Sequence, residues 1–267
     1  MTAHRSDEGA HPRPASGDQD PAHHLPGLPG AVSRRGPTGR GERVTGRAAT
    51  AVLPPALRAW LGLIAAIAAL TVAALGVLYA GHDESSTVDR WFVQPTADSV
   101  RPPWRSVALA TDFLGEPAGA AALVVVAVAG CLLLRWPRAA VLVVAGAGVT
   151  VVTATLIKSL VGRTIHGADN LSYPSGHTAF ATALALAVAL LVTSLLGLGR
   201  AAGLLLVLAA ALVAGAVMGW AQVALSAHYP TDVFGGWCTA LAVVPATAWL
   251  VDRAADRLTG PGRRERR

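Results

Sequence analysis

The chain has 267 residues, 53% of them hydrophobic and only 14% charged, with a mean hydropathy of +0.48. That balance excludes a disordered, a collagen-like or an ordinary soluble protein, in which about a quarter of the residues would be charged. A net charge of +6 would point to nucleic acid in a soluble domain, but here the basic residues sit in tails and short loops between apolar runs, which fits membrane topology and no nucleic-acid partner.

Residues 1–55 are rich in Gly, Pro, Ser, His and Arg, hold eight of the 17 prolines, and show no hydrophobic periodicity. Such a segment buries too little apolar surface to offset its ordering entropy, so a disordered tail is expected. It is too long and too polar for a secretory signal peptide. His4, His11, His23 and His24 read as scattered solvated histidines, not a metal tract.

Six apolar stretches follow, at about 59–80, 118–134, 139–157, 178–198, 201–225 and 233–251. Each approaches the ~20 residues needed to cross a bilayer core. Ala, Gly, Val and Leu dominate them, with small residues available for close helix packing. The expected fold is all-α: a polytopic six-transmembrane-helix bundle over residues 56–252, followed by a basic tail at 253–267. Cys131 and Cys238 lie inside apolar runs without metal-ligand spacing and read as small core residues.

Arginine placement sets the expected orientation. From Arg34 onward, fifteen arginines precede the first stretch, follow the sixth, or lie between the second and third or the fourth and fifth. The alternate loops carry few, and the 81–117 segment is acidic, with Asp83, Glu84, Asp89, Asp98, Asp112 and Glu116. Both termini are therefore expected in the cytoplasm of a plasma-membrane protein, with 81–117, 158–177 and 226–232 outside. The 81–117 segment also carries Trp91, Phe92 and Trp104, and a helical apolar face from Val107 to Leu114. It reads either as an amphipathic interfacial helix beside a lipid-entry route or as an ordinary aromatic belt.

Ionisable residues within or beside membrane spans are costly, and three groups of them converge on this outer face. Lys158, the only lysine of the chain, ends the third stretch. It reads as a snorkelling anchor or as a point charge for an anion. Tyr173–His177 opens the fourth stretch; Pro174 suits a helix entry, and Ser175 and Gly176 expose amides at the positive helix end, a ready anion site. His177 beside them is placed to donate a proton. His228 and Asp232 open the sixth stretch four residues apart, so the carboxylate can bind one ring nitrogen and leave the other as a nucleophile. A helix N-cap by Thr231 or Asp232 is compatible with that role.

These three groups, in this order, resemble the signatures of the type 2 phosphatidic acid phosphatase superfamily of membrane lipid-phosphate phosphatases. Pro174–His177 reproduces the second signature in full, and His228 and Asp232 have the spacing of the third. The resemblance spans about residues 56–252. It implies metal-independent, cofactor-free hydrolysis of a lipid phosphate or diphosphate, of the phosphatidic acid, phosphatidylglycerol phosphate or polyprenyl phosphate class, through a phosphohistidine. His228 would attack phosphorus, Asp232 orient it, and His177 protonate the leaving alkoxide and then activate water. Lys158, Ser175 and Gly176 would hold the phosphate oxygens. Two departures accompany the match: Ile165 and His166 stand where the family has Arg-Pro, and Ala221 and Gln222 where it has Ser-Arg. Arg163, two residues early, and Gln222 are candidate substitutes at the phosphate, while His166 reads as a solvated loop histidine. The alternatives are a weakened member that binds lipid phosphate and a lipid-linked phosphotransferase.

Overall fold

A computed structural model describes residues 51–91 and 100–259. Seven α-helices of ten or more residues organise them: α1 (Arg58–Leu78), α2 (Trp104–Phe113), α3 (Pro117–Leu133), α4 (Pro137–Val161), α5 (Gly176–Leu195), α6 (Arg200–Ala224) and α7 (Pro230–Thr259). No strand occurs among the described residues. Proline occupies the first position of α3, α4 and α7, where its missing N–H is unneeded and its φ is already helical. Threonine hydroxyls inside the helices bond back to carbonyls one turn earlier, as Thr150 does to Gly146 at 2.7 Å and Thr239 to Gly235 at 2.8 Å. Their polar atoms are thereby satisfied within apolar surroundings.

Five helical segments are long and apolar enough to cross a membrane, and the bent pair α2–α3 makes six if taken as one span. The chain is a multi-pass membrane protein. α5 is the most enclosed element: Ala183, Leu186, Ala187 and Leu190 are buried against α4, α6 and α7. α1 packs along α7, and the Trp237 indole of α7 donates to the Ala211 carbonyl of α6 at 2.9 Å. Cys131 and Cys238 are free and buried, as core residues should be.

The sequence boundaries shift at both ends of the bundle. Val52 and Leu53, assigned to the disordered tail, are buried, and their amides donate to the two carboxylate oxygens of Asp252 at 2.9 and 3.0 Å. Asp252 also faces Arg58 and Arg138, at 4.0 and 3.7 Å. The tail assigned to 253–267 begins later, because α7 runs helically to Thr259. Residues 1–50, with the four tail histidines, Phe92 and 260–267 lie outside the described residues. Asp252→Ala leaves two buried amides and the Arg138 guanidinium without this partner. A loss of about 2–4 kcal/mol is expected, seen as a lowered melting temperature in detergent.

The apolar face predicted from Val107 to Leu114 is found in α2. One side of it packs on α6 through Ala108, Ala221 and Ala224, and Trp104 meets Trp220 edge-on at 6.4 Å between centroids. Val107, Leu109 and Phe113 remain exposed. α2 and α3 meet at a 66° bend over residues 114–116. This bend brings the acidic residues Asp112 and Glu116 over the start of α5.

Candidate active site

α4 ends with Lys158 in its last turn and Gly162 in the left-handed region at its C-cap. The chain then doubles back: Thr164 bridges Leu171, and the Ser172 amide donates to the Arg163 carbonyl at 2.8 Å. That return delivers Tyr173–Ser175 to the mouth of the bundle. Tyr173 is fully buried, its hydroxyl donating to the Val72 carbonyl of α1 at 2.9 Å. Ser175 caps α5, accepting from the Thr178 amide at 3.4 Å. Its own amide donates to the Asp232 carbonyl at 2.9 Å, which joins the α5 and α7 entries. Gly236 is required at this junction, since a Cβ there would overlap the Ser175 carbonyl oxygen.

The entry of α7 is held by a buried ion cluster. Asp232 reaches back to the Tyr229 amide at 3.1 Å, the returning half of a capping box. Its Oδ1 accepts from the Arg163 guanidinium at 2.6 Å, and Arg163 donates also to Thr231 at 2.6 Å and to Asp89 at 2.8 Å. Arg163, Asp89 and Asp232 are all closed to solvent. The guanidinium lies between two aromatic faces, 4.2 Å from the Tyr79 ring centre and 4.5 Å from that of Tyr229, which favours a cation there. Asp89 accepts from the Ser86 amide and hydroxyl and from the Thr231 amide at 3.0 Å. Burial alone would raise the Asp89 carboxyl; hydrogen bonds from Ser86, Arg163 and Thr231 outweigh it and hold the carboxyl below its ordinary range.

His228 stands one turn before Asp232, with Nδ1 3.8 Å from Oδ2, and its side chain is 9% exposed. Burial holds the imidazole below the ordinary histidine value of 6.5, against the pull of Asp232, and the charges of Lys158 and His177 add to the lowering. The nucleophile candidate is thus kept neutral, with a lone pair, near neutral pH. Arg163 engages the other oxygen of the Asp232 carboxylate, Oδ1. Lys158 donates one proton to the Leu171 carbonyl at 3.1 Å and is close enough to His228 to act on its charge.

His177 lies across from this group at the first turn of α5. Its Nε2 is 3.6 Å from Asp112 Oδ1 and 3.6 Å from Glu116 Oε1, both at the α2–α3 bend. The buried Gln222 amide donates to the same Asp112 oxygen at 2.6 Å. The three ligating atoms of Asp112, Glu116 and His177 lie within 4.8 Å of one another, close enough to hold a metal ion.

Lys158, His177, His228 and Asp232 are therefore gathered at one end of the bundle, as their order in the chain suggested. Arg163 and Gln222 are placed differently from the other candidates. Arg163 is not poised to swing toward a phosphate, because two carboxylates, one hydroxyl and two rings enclose it. Gln222 is turned to Asp112 instead of to open space. Ser175 serves as a buried helix cap, which leaves the amides of the half-buried Gly176 and His177 as the remaining donors of that turn. Ile165, at the position of the family arginine, is buried, and His166 donates to the Ser226 carbonyl at 2.7 Å. Asp89, Asp112, Glu116, Tyr79 and Tyr229 were not singled out from sequence. Asp89 had one signal, the Ser86-x-x-Asp89 capping box, and Asp112 with Glu116 had another, an acidic pair one turn apart beside apolar sequence.

Residues 159–256 match a protein-family model described as the PAP2 superfamily. No curated protein matches the chain. Among solved structures, the chain is similar to a transmembrane PAP2-type phosphatidylglycerolphosphate phosphatase from Bacillus subtilis, at 20% identity and a TM-score of 0.52, over 76% of this chain and 98% of that one. The likeness in structure establishes the fold, and the segment that matches the PAP2 superfamily model, 159–256, is the one that carries Pro174–His177 and His228–Asp232.

Proposed function

We propose that the protein hydrolyses a lipid phosphate or diphosphate through a phosphohistidine at the extracytoplasmic face of the plasma membrane. The observation that carries this reading is the buried His228–Asp232 pair with Arg163 fixing the carboxylate from behind. Asp232 occupies the Nδ1 side of the ring, so Nε2 carries the lone pair that attacks phosphorus. The phosphorus–oxygen bond to the lipid breaks, and His177 gives a proton to the departing alkoxide. Water, deprotonated by His177, then attacks the phosphohistidine, and inorganic phosphate leaves His228 free. Lys158 and the first amides of α5 hold the non-bridging oxygens, and positioning with fixed charge supplies most of the acceleration. None of these steps calls on a metal ion, so turnover in EDTA is expected.

A lipid substrate is supported by a groove of about 710 Å³ between α1, α4 and α7. It is lined by Val72, Gly76, Ile157, Val161, Val243 and Leu250, and it reaches the last turn of α4 on either side of Lys158 in sequence. An acyl or polyprenyl chain lying there would leave its phosphate near that lysine.

The test is phosphate release in detergent with EDTA from phosphatidic acid, phosphatidylglycerol phosphate and a polyprenyl phosphate. Acid-labile, base-stable label is expected on His228 after quenching a reaction with radiolabelled substrate. Binding without release would make the protein a lipid-phosphate receptor, and phosphate appearing on an added alcohol would make it a phosphotransferase. Tags on either terminus, probed from outside intact cells, should be protected if both ends are cytoplasmic.

A further inference from the structure

The His228–Asp232 pair has a counterpart on the other side of the site. Nε2 of His177 is buried and has no hydrogen-bond partner at the resting distances, yet it faces carboxylates from both sides of the α2–α3 bend, each at 3.6 Å. Catalytic hydrogen bonds are commonly long before substrate binds and tighten in the complex. The two carboxylates are not equivalent. Asp112 is three-quarters covered and its Oδ1 is anchored by the buried Gln222 amide, whereas the Glu116 side chain is half-exposed. Between them Gly115 lies flat on the imidazole: a Cβ at 115 would overlap Cδ2 of His177 and come within 2.8 Å of Cγ. The bend itself is stitched by the Gly115 amide donating to the Asp112 carbonyl at 2.8 Å and the Glu116 amide to the Phe113 carbonyl at 3.2 Å.

We propose that Asp112 is a positioning residue for His177, forming a second histidine–carboxylate dyad in which Gln222 fixes the carboxylate and Gly115 fixes the ring plane. Asp112 takes the Nε2 edge, so His177 exchanges protons with substrate through Nδ1. The departing lipid alkoxide receives the Nδ1 proton, and Nδ1 later accepts one from the attacking water, which restores the starting state. Gln222 thus acts on the reaction through Asp112 and His177, not through the phosphate. This inference rests on the proposed phosphatase reading and names the device that serves its general acid.

The experiment exploits the leaving group. An alkoxide needs a proton as it departs; p-nitrophenolate does not. In single-turnover phosphorylation, the step before water attacks, Asp112→Asn is expected to slow diacylglycerol release from phosphatidic acid about 10²-fold with substrate affinity within about two-fold, and to slow p-nitrophenolate release from p-nitrophenyl phosphate by less than about three-fold. Asp112→Glu should recover part of the loss, and Gly115→Ala, which displaces the ring, should show the same dependence on leaving group. Equal losses on both substrates would mean a purely structural role and overturn the inference, as would full activity of Asp112→Asn on phosphatidic acid. Activity abolished by EDTA and restored by Mn²⁺ would also overturn it, making Asp112, Glu116 and His177 a cation site. Label on His228 in the parent protein checks the phosphatase reading separately: label present with no leaving-group dependence sinks only the dyad, and label absent sinks the reading beneath it.

Discussion

Arg163→Met is expected to destabilise the protein by about 3–5 kcal/mol, a larger effect than that of any substitution on the lipid-exposed faces. The guanidinium is the common partner of Asp89 and Asp232, both closed to solvent. Removing it leaves two carboxylates buried within one small volume, and an unpaired buried charge costs far more than a buried ion pair contributes. Methionine keeps the stem and much of the packing between Tyr79 and Tyr229, so the loss reports on charge rather than on a cavity. Melting in mild detergent measures it. Asp89→Asn in the Arg163→Met background should recover part of the stability, because one of the orphaned charges is gone. Activity should fall in Arg163→Met even where the protein remains folded, since Asp232 loses its anchor and the His228 ring loses its register. If Arg163 instead held phosphate, the variant would melt like the parent and show chiefly a raised KM.

The helical type of the apolar stretches was legible in the sequence because uninterrupted apolar runs of bilayer length admit one solution: backbone groups satisfied within a helix. The 118–134 run became α3, which joins α2 in a bent pair, and its shortness was already visible as 17 apolar residues. Boundaries at the membrane ends were less legible. Val52 and Leu53 look like tail residues until Asp252, some 200 positions later, is seen to bind their amides. Lys158, His177, His228 and Asp232 could be grouped because alternating topology places their loops at one end. The setting of Arg163 was not legible, because its partner Asp89 comes from a segment whose acidic character read only as a sidedness signal, and Tyr79 from the end of the first apolar stretch. For the same reason, Gln222 appeared as a lost cation. Only the α2–α3 bend, a tertiary feature with no periodic signature, shows that its partner is the carboxylate of Asp112.

His228→Ala is expected to lower turnover of a lipid phosphate by at least about 10⁴-fold, the scale seen when a covalent nucleophile is removed. Its melting temperature should stay within about 3 °C of the parent, because Nδ1 makes no hydrogen bond shorter than its 3.8 Å approach to Asp232. Loss of activity without loss of fold separates this variant from Arg163→Met, in which both fall. The pH dependence gives an independent check on the same residue. Burial lowers the His228 imidazole from 6.5, so the neutral form that attacks phosphorus persists to lower pH than for an exposed histidine. The acidic limb of kcat/KM assigned to His228 is therefore expected below pH 6.5, with activity lost as pH falls through it. Asp232→Asn removes the carboxylate that pulls the imidazole upward, so it should move that limb further toward acid while lowering kcat about 10³–10⁴-fold through loss of tautomer and orientation. A limb at or above pH 6.5 in the parent, or one that moves toward base in Asp232→Asn, would assign the nucleophile to another group. With Asp232 neutral, the buried Arg163 keeps only Asp89 as a charged partner, so Asp232→Asn should melt below His228→Ala. That ordering of stability, opposite to the ordering of activity, distinguishes a carboxylate that also holds Arg163 from one serving the nucleophile alone.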